Sequence, residues 1–215
     1  MNKAVIFDLD GTILDTLTDI AENINRMLDH FGYPKLPSRE IMQYIGNGAR
    51  NLVKRSIKVK LTEEELDDKL AFYNRIYTAA PSDNTCVFKG LDEVISQLKE
   101  RGYKTGVLTN KPQMTTDKVC EKYLSHLNFD VIVGQREGVP IKPDPTSLNQ
   151  ILKDLNVKKE NAYFVGDGET DAQTAQNAGV NGICVLWGYR ERKQLEAVGA
   201  TVFVSSPQQL LKIIK

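Results

Sequence analysis

The sequence predicts an α/β protein, a parallel sheet of about six strands with helices on both faces and an all-helical cap domain inserted into it. Strand-like and helix-like segments alternate from residue 83 onward, whereas residues 15–80 contain helical patterns only. The apolar run Lys3–Phe7 precedes this helical stretch and supplies a first strand. We therefore expect two domains: a core of residues 1–14 and 83–215 and a cap of residues 15–82.

The predicted strands are short apolar or β-branched runs that end at glycine or polar residues. They comprise Lys3–Phe7 and residues 104–108, 131–133, 162–165, 183–186 and 201–204. Apolar residues at helical spacing predict helices after several of them, at residues 91–101, from Pro112 onward, and at residues 145–155 and 208–214. Strands joined through helices in this way are typical of parallel sheets.

The stretch from residue 15 to residue 80 interrupts this alternation. Apolar side chains recur at helical spacing from Ile13 to Phe31, and Thr62 with Glu65 has the pattern of a capping box before a long helix. A helical cap inserted after the first strand would cover the carboxyl ends of the strands. Open α/β sheets bind their ligands at that edge.

Composition and charge argue against several classes of protein. The 215 residues are 41% hydrophobic and 26% charged, and 28 basic residues balance 28 acidic ones. Because no long basic run and no long apolar run occurs, neither a nucleic acid nor a membrane is an expected partner. Asp8 breaks the first apolar run too early for a signal peptide, and three isolated cysteines suit free thiols in a reducing compartment. We expect a cytoplasmic protein; its oligomeric state leaves no signature in the sequence.

Two carboxylates stand at the end of the first strand. Asp8 and Asp10 are two residues apart, about 6.6 Å along a strand, so their side chains share one face. Gly11 permits a sharp turn directly after them. This arrangement suits a nucleophile and a proton-transfer group beside a divalent cation. Asp10-Gly11 is also a hairpin dipeptide and Asp a common helix N-cap, but the helical pattern that follows favours a strand, a turn and a helix.

Polar residues also follow the second predicted strand, and a lysine stands in the segment that follows the third predicted strand. Thr109, Asn110 and Lys111 could bind anionic oxygens, although Thr109 or Asn110 could equally cap the next helix. Lys142 lies next to Pro143 and near a second proline, which restrict its backbone. A solvated lysine is the simpler interpretation of Lys142 taken alone.

Two more carboxylates, Asp167 and Asp171, follow the strand at residues 162–165. Oxygen ligands without nearby His or Cys suit Mg²⁺ rather than zinc, although the pair could simply cap a helix. The conjunction of four polar clusters, each after a strand, indicates phosphoryl chemistry. In that chemistry Asp8 would attack phosphorus, Thr109 and Lys142 would bind the transferring oxygens, and Asp167 would hold the metal. The strands that bear these residues must then be neighbours, with Lys3–Phe7 in the middle.

These motifs resemble those of haloacid dehalogenase-superfamily phosphatases, in the same order and over essentially the whole chain. The matching residues are Asp8-Leu9-Asp10-Gly11-Thr12, Thr109-Asn110, Lys142-Pro143, and Gly166-Asp167 with Asp171. The resemblance implies a Rossmann-like core, an aspartyl-phosphate on Asp8, and Asp10 as acid and then base. It implies Mg²⁺ held by Asp8, the backbone carbonyl of Asp10, Asp167 and, directly or through water, Asp171. It also implies substrate contacts from Gly11, Thr12, Asn110 and Lys111.

Within the superfamily the sequence looks most like phosphoglycolate phosphatases, in residues 44–52 and 185–190. Gly46 and Gly48 precede an apparent helix whose N-terminal amides could receive a carboxylate or phosphate. Arg50 could add a charge-assisted contact, or it could be a solvated arginine in a helix–helix turn. We therefore expect a small phosphorylated metabolite, with 2-phosphoglycolate as the best single substrate. Gly168 departs from the Ser or Thr of many relatives, which puts one outer hydrogen bond in doubt.

Other functions fit parts of this sequence. A phosphotransferase of the β-phosphoglucomutase type has nearly the same core motifs and would differ in its cap loop and in the lifetime of its phosphoenzyme. A pyrophosphatase could use the same fold. The retained charged residues of the core argue against a non-catalytic binding module, and Asp10 argues against a dehalogenase.

Overall fold

The computed structural model describes residues 2–215. Its strands are β1 (Lys3–Phe7), β2 (Leu14–Asp15), β3 (Cys86–Val87), β4 (Tyr103–Pro112), β5 (Val131–Gln135), β6 (Ala162–Gly166), β7 (Asn181–Val185) and β8 (Phe203–Val204). Its α-helices are α1 (Leu17–His30), α2 (Ser38–Met42), α3 (Gly48–Ser56), α4 (Glu63–Ala79), α5 (Leu91–Glu100), α6 (Gln113–Leu124), α7 (Thr146–Asp154), α8 (Glu169–Ala178), α9 (Arg192–Ala197) and α10 (Pro207–Ile213). Short 3₁₀ turns lie at Ser125–Leu127 and Lys159–Asn161.

Six strands form one parallel sheet in the order β5-β4-β1-β6-β7-β8. This confirms the predicted α/β fold and the central place of β1 between β4 and β6. The strand β4 runs on to Pro112, with a register shift after Leu108, instead of ending at residue 108. Its irregular end therefore contains the polar residues 109–111, and α6 begins one residue later than expected, at Gln113.

Helices cover both faces of this sheet, and β1 shows why its sequence is apolar throughout. Val5 and Phe7 pack in one apolar cluster with α5, α6 and α10, whereas Ala4 and Ile6 pack in another with α7 and α8. All four side chains are fully buried. A strand buried on both faces reads as a continuous apolar run, and this run ends where the polar site begins.

Residues 17–79 form the four helices α1–α4, which we call the helical insertion. Its apolar cluster draws on these residues and, from outside, on Tyr189. The predicted capping box is present at the start of α4, where the Thr62 hydroxyl accepts from the Glu65 amide and the Glu65 carboxylate accepts from the Thr62 amide at 2.7 Å. The division of the chain into core and cap domains at residues 15 and 82 stays a prediction.

The antiparallel pair β2–β3 is absent from the sequence prediction. It pairs Leu14 with Val87 and Asp15 with Cys86, and it brings the two ends of the helical insertion side by side. Strands of two residues are too short to leave a periodic pattern. Ile13 lies in the turn before this pair and not in α1, which begins at Leu17. Within residues 2–215, every helix is too short or too polar to span a membrane.

Candidate active site

The carboxyl ends of β1 and β4 face the helical insertion across a cleft, and the end of β6 lies beside it. The strand ends contribute Asp8, Asp10, Thr109, Asn110, Lys111 and Pro112 to its lining. The helical insertion contributes Ile20, Ile45, Gly46, Gly48, Ala49, Leu52, Tyr73 and Tyr77. The cleft therefore has a polar floor and a mostly apolar roof.

Three buried carboxylates form an acidic cluster beside this cleft. Asp8 follows β1, Asp167 follows β6, and Asp171 lies in the first turn of α8. One oxygen from each lies within 4.8 Å of the others. The structure thus brings together the side chains of three of the four predicted metal ligands. The fourth, Asp10, was expected to contribute its backbone carbonyl instead.

Lys142 lies against two members of this cluster. Its Nζ donates to Asp8 Oδ1 at 2.6 Å, to Asp171 Oδ1 at 2.7 Å and to the Leu108 carbonyl at 3.1 Å. Burial alone would lower the pKa of Lys142, but the charges of Asp171 and Asp8 outweigh it and raise that pKa. Lys142 is consequently a buried cation and not the solvated lysine of the simpler interpretation.

One ammonium does not balance three carboxylates, and the pKa values show the excess of negative charge. Burial, with the charges of Asp171 and Asp167, raises the pKa of Asp8 to about 8 against the opposing effect of Lys142. Burial and the charge of Asp171 raise the pKa of Asp167 to about 7. A divalent cation would stabilise all three carboxylates in their charged form. An all-oxygen set that lacks positive charge fits Mg²⁺.

Asp167 is held in place by groups on both sides of its carboxylate. The Tyr189 amide donates to Oδ2 at 2.7 Å, and the Thr12 hydroxyl donates to Oδ1 at 3.0 Å. Gly11, at φ +88°, has space for no side chain because Asp167 and Tyr189 lie against it. Gly11 and Thr12 lie outside the lining of the cleft, and their expected substrate contacts stay a prediction.

Asp10 lines the cleft but stands apart from the acidic cluster. Its carboxylate accepts from Thr16 Oγ1 at 2.7 Å and from Lys111 Nζ at 2.8 and 3.0 Å. Lys111 also donates to the Tyr77 hydroxyl at 2.7 Å. Lys111 thus connects the strand end to α4 and is the one basic side chain among the described residues that line the cleft.

The two residues before Lys111 differ in their surroundings. Thr109 is buried and lines the cleft, and its hydroxyl accepts from the Lys111 amide at 3.3 Å. Asn110 Nδ2 donates to the carbonyls of Gly46 and Lys142, both at 3.0 Å, and Asn110 Oδ1 accepts from the Lys142 amide at 2.8 Å. Neither residue caps α6, which begins without a side-chain cap. Asn110 holds together the backbone around the cleft.

The helical insertion supplies only part of what the sequence predicts. Gly46 and Gly48 line the cleft, both at positive φ. Arg50 lies on α3 outside the cleft, and its guanidinium pairs with Glu63 and Asp67 at the beginning of α4. The expected substrate contact of Arg50 stays a prediction, because in this structure two exposed carboxylates of α4 hold the guanidinium.

Sequence reasoning did not identify the tyrosines of α4. Tyr73 and Tyr77 line the cleft with their rings stacked 5.4 Å apart. Burial, followed by the charge of Asp10, raises the pKa of Tyr77 well above its ordinary value, so its hydroxyl stays protonated beside Lys111. Their spacing of four residues places them on one helix face, but that pattern is equally typical of core packing.

Known proteins resemble this chain over nearly its whole length. A sequence model of haloacid dehalogenase-like hydrolases matches residues 5–185. The chain is 33% identical to a phosphoglycolate phosphatase of Nitrosospira multiformis, over 99% of this chain and 96% of the relative. It is 30% identical to phosphoglycolate phosphatase 1 of Pseudomonas aeruginosa, over 97% of this chain and 78% of the relative.

Solved structures give the same picture. A protein provisionally named phosphoglycolate phosphatase from Lactobacillus delbrueckii subsp. bulgaricus superposes with a TM-score of 0.91 at 28% identity, covering 100% of this chain and 99% of that one. The chain belongs to the haloacid dehalogenase-like hydrolases. The family and the relatives together indicate a phosphoric monoester hydrolase.

Proposed function

We propose that this hydrolase cleaves a small phosphomonoester through an aspartyl-phosphate on Asp8, with Mg²⁺, and that 2-phosphoglycolate is its substrate. The observation that carries the proposal is the position of Asp8, which lines the cleft and also belongs to the acidic cluster that fits Mg²⁺. The names of the relatives support the choice of substrate.

In the first step, a carboxylate oxygen of Asp8 bonds to phosphorus, the ester oxygen leaves, and Asp10 gives that oxygen a proton. In the second step, Asp10 takes a proton from water, the water oxygen attacks phosphorus, and the bond to Asp8 breaks. Phosphate and free Asp8 result. Thr16 and Lys111 hold the Asp10 carboxylate in the cleft, which fixes the proton-transfer group relative to Asp8.

Charge stabilisation on the phosphoryl oxygens is the larger part of such a reaction. Lys142 and Thr109 are our candidates for binding those oxygens, because both are buried at the strand ends. Asp8, Asp167 and Asp171, with the backbone carbonyl of Asp10, would hold Mg²⁺. When bound, the ion would neutralise the charge of the transferring group.

The size and lining of the cleft favour a small substrate with a second anionic group. Lys111, although paired with Asp10, is the basic side chain that a substrate carboxylate would meet in the cleft, and the amides near Gly46 and Gly48 lie on the opposite wall. The apolar roof would exclude bulk water from around the transferring group, which strengthens its electrostatic contacts with the strand ends. A small phosphorylated metabolite in the cytoplasm is thus the expected partner, with no role for nucleic acid or membrane.

A metabolite panel tests this proposal. Phosphate release with Mg²⁺ is measured as kcat/KM for 2-phosphoglycolate, hexose phosphates, nucleotides, pyrophosphate and p-nitrophenyl phosphate. The highest value is expected for 2-phosphoglycolate. The matched control is Asp8→Asn, which has nearly the same shape but cannot form the acyl-phosphate, so that all turnover should vanish.

Each alternative function has its own outcome. Much faster hydrolysis of pyrophosphate or a hexose phosphate rejects the substrate but keeps the phosphatase. Transfer of the phosphoryl group to a sugar phosphate rather than to water supports the β-phosphoglucomutase type. Normal activity in Asp8→Asn, with deamidation excluded by mass spectrometry, overturns the mechanism.

A further inference from the structure

The loop between α2 and α3 forms one wall of the cleft, and side chains from the core bind its backbone. We call residues 42–48 the cleft loop. Ile45, Gly46 and Gly48 of this loop line the cleft. Gly46 has φ +106° and Gly48 has φ +79°, a region open mainly to glycine. Because glycine restricts its own backbone little, the conformation of the loop depends on what holds it from outside.

Arg190 makes most of the side-chain hydrogen bonds from the core to the backbone of this loop. Its Nη1 donates to the Met42 carbonyl at 3.0 Å, and its Nη2 donates to the carbonyls of Ile45 at 2.7 Å and Gln43 at 3.3 Å. Its Nε donates to Glu169 at 2.8 Å. The side chain is only 5% exposed, so these bonds are shielded from water. One guanidinium therefore binds three carbonyls at and just after the end of α2, of which the Met42 carbonyl also accepts from the Ile45 amide at 3.4 Å.

Two further side chains bind the same loop, one from the end of β4 and one from the first turn of α8. Asn110 Nδ2 donates to the Gly46 carbonyl at 3.0 Å, and Thr170 Oγ1 donates to the same oxygen at 3.4 Å. Asn110 adjoins Thr109, and Thr170 adjoins Asp171. The cleft loop is thus bound from the same segments that carry the phosphate-binding and metal-binding candidates.

We propose that Arg190 is a positioning residue that fixes the cleft loop on the core, so that this wall of the cleft is formed before substrate binds. The kinetic part of this inference rests on the proposed function. Arginine is suited to the role because its planar fork reaches several carbonyls at once, whereas a lysine offers one ammonium. Asn110 and Thr170 complete the attachment at Gly46.

A purely structural arginine would have a different signature. If Arg190 only stabilised the fold, its loss would lower the melting temperature without a specific change around residues 42–48. If it fixes the loop through these carbonyls, its loss should let the loop open, so that the loop amides exchange faster and substrate binding weakens. Loss of binding common to ground state and transition state raises KM with little change in kcat.

The test compares Arg190→Lys and Arg190→Ala with the wild type. Hydrogen–deuterium exchange of peptides that cover the cleft loop is measured without substrate. We expect exchange there to increase about tenfold in Arg190→Ala, because several hydrogen bonds to a charged group are lost. KM for p-nitrophenyl phosphate should increase about tenfold with kcat changed much less. The Arg190→Lys variant should fall between Arg190→Ala and wild type.

The matched control is Arg192→Ala. Arg192 lies two residues further on, is exposed, and pairs with Glu196 on its own helix, so neither loop exchange nor KM should change. Unchanged exchange in the cleft loop of Arg190→Lys and Arg190→Ala overturns the proposal, as does a KM unchanged in both. If Arg190→Ala does not fold, Arg190→Lys decides. Because exchange needs no turnover, it still tests the anchoring if the metabolite panel rejects the proposed function.

Discussion

The strand ends and the helical insertion face each other across one cleft but contribute side chains of opposite character. The strand ends present buried charges that already have partners, such as Asp8 with Lys142 and Asp10 with Lys111. The helical insertion presents aliphatic and aromatic side chains, among them Leu52. The difference suggests a division of work, in which one side carries out the reaction and the other excludes water and selects the leaving group.

The largest effect is expected from a change on the strand-end side. Asp10→Asn should lower kcat for 2-phosphoglycolate by about 10²–10⁴-fold, because an amide can neither give nor take the proton. The p-nitrophenolate ion leaves without a proton, so p-nitrophenyl phosphate should still form the phosphoenzyme, which then persists. Rapid-quench detection of phosphorylated protein measures this. Equal slowing of both substrates at the first step would contradict the assigned role.

Mg²⁺ and protons should compete for the same carboxylates at the strand ends, so the effect of the metal should depend on pH. The pKa values of Asp8 and Asp167, about 8 and about 7, exceed the ordinary value of 3.8, so the metal-free folded protein binds these protons more tightly than the unfolded chain. Their contribution to stability is fully present below about pH 4 and is lost as pH rises to about 8.

Mg²⁺ must displace those protons, so the ion should raise the melting temperature more at pH 8 than at pH 6. Thermal denaturation with EDTA or Mg²⁺ at both pH values measures this difference. In Asp167→Asn the response to the ion should be small at either pH. A larger stabilisation by Mg²⁺ at pH 6 than at pH 8 in the wild type would show that these carboxylates are not its ligands.

A smaller effect is expected from the insertion side. Tyr77→Phe removes the hydroxyl that binds Lys111 and keeps the ring. KM for 2-phosphoglycolate should rise about 3–10-fold, the effect of one hydrogen bond to a charged group. KM for p-nitrophenyl phosphate, which has no carboxylate, should stay within about twofold. Tyr73→Phe, the same change one helical turn away, is the control. An equal increase in KM for both substrates in Tyr77→Phe would mean that Lys111 does not select substrates by their carboxylate.

The smallest effect is expected for Arg50→Ala. Its guanidinium is exposed and paired with Glu63 and Asp67, and such surface pairs contribute about 0–1 kcal/mol. KM for 2-phosphoglycolate and for p-nitrophenyl phosphate should both stay within about twofold of wild type. A selective rise for 2-phosphoglycolate would mean that Arg50 turns into the cleft when substrate binds, as the sequence first suggested.

The same two sides differ in how far the sequence predicts them. Asp8 and Asp167 could be brought together from sequence because each directly follows a strand, and parallel strands end at one edge of a sheet. The fold followed from the alternation of strand and helix patterns for the same reason. In both cases the position of a residue along the chain, at the end of a parallel strand, fixes its place at one edge of the sheet.

The residues whose contacts sequence reasoning did not predict depend on neighbours from other segments of the chain. Arg50 has a cleft on one side and Glu63 on the other, and its spacing within α3 is compatible with either. Thr12 is the last residue of the first motif, yet its partner Asp167 lies at a different strand end. Arg190 entered the sequence analysis only within a segment that resembles the family. Its partners are backbone carbonyls, which every residue has, so the sequence could not predict them. Each depends on a different tertiary contact: Arg50 on one within the helical insertion, Thr12 on one within the core, and Arg190 on docking of the insertion on the sheet.

The pairing of β1 also has a consequence for the order in which the protein can form. Lys3 pairs with Tyr103 and Ala4 with Ala162, so the central strand leaves the ribosome well before either neighbour. The helices α1–α4 are synthesised in between, and their apolar cluster is almost entirely local. The insertion can therefore fold early while β1 waits unpaired, and Asp8 gains its carboxylate neighbours only when Asp167 and Asp171 have been synthesised.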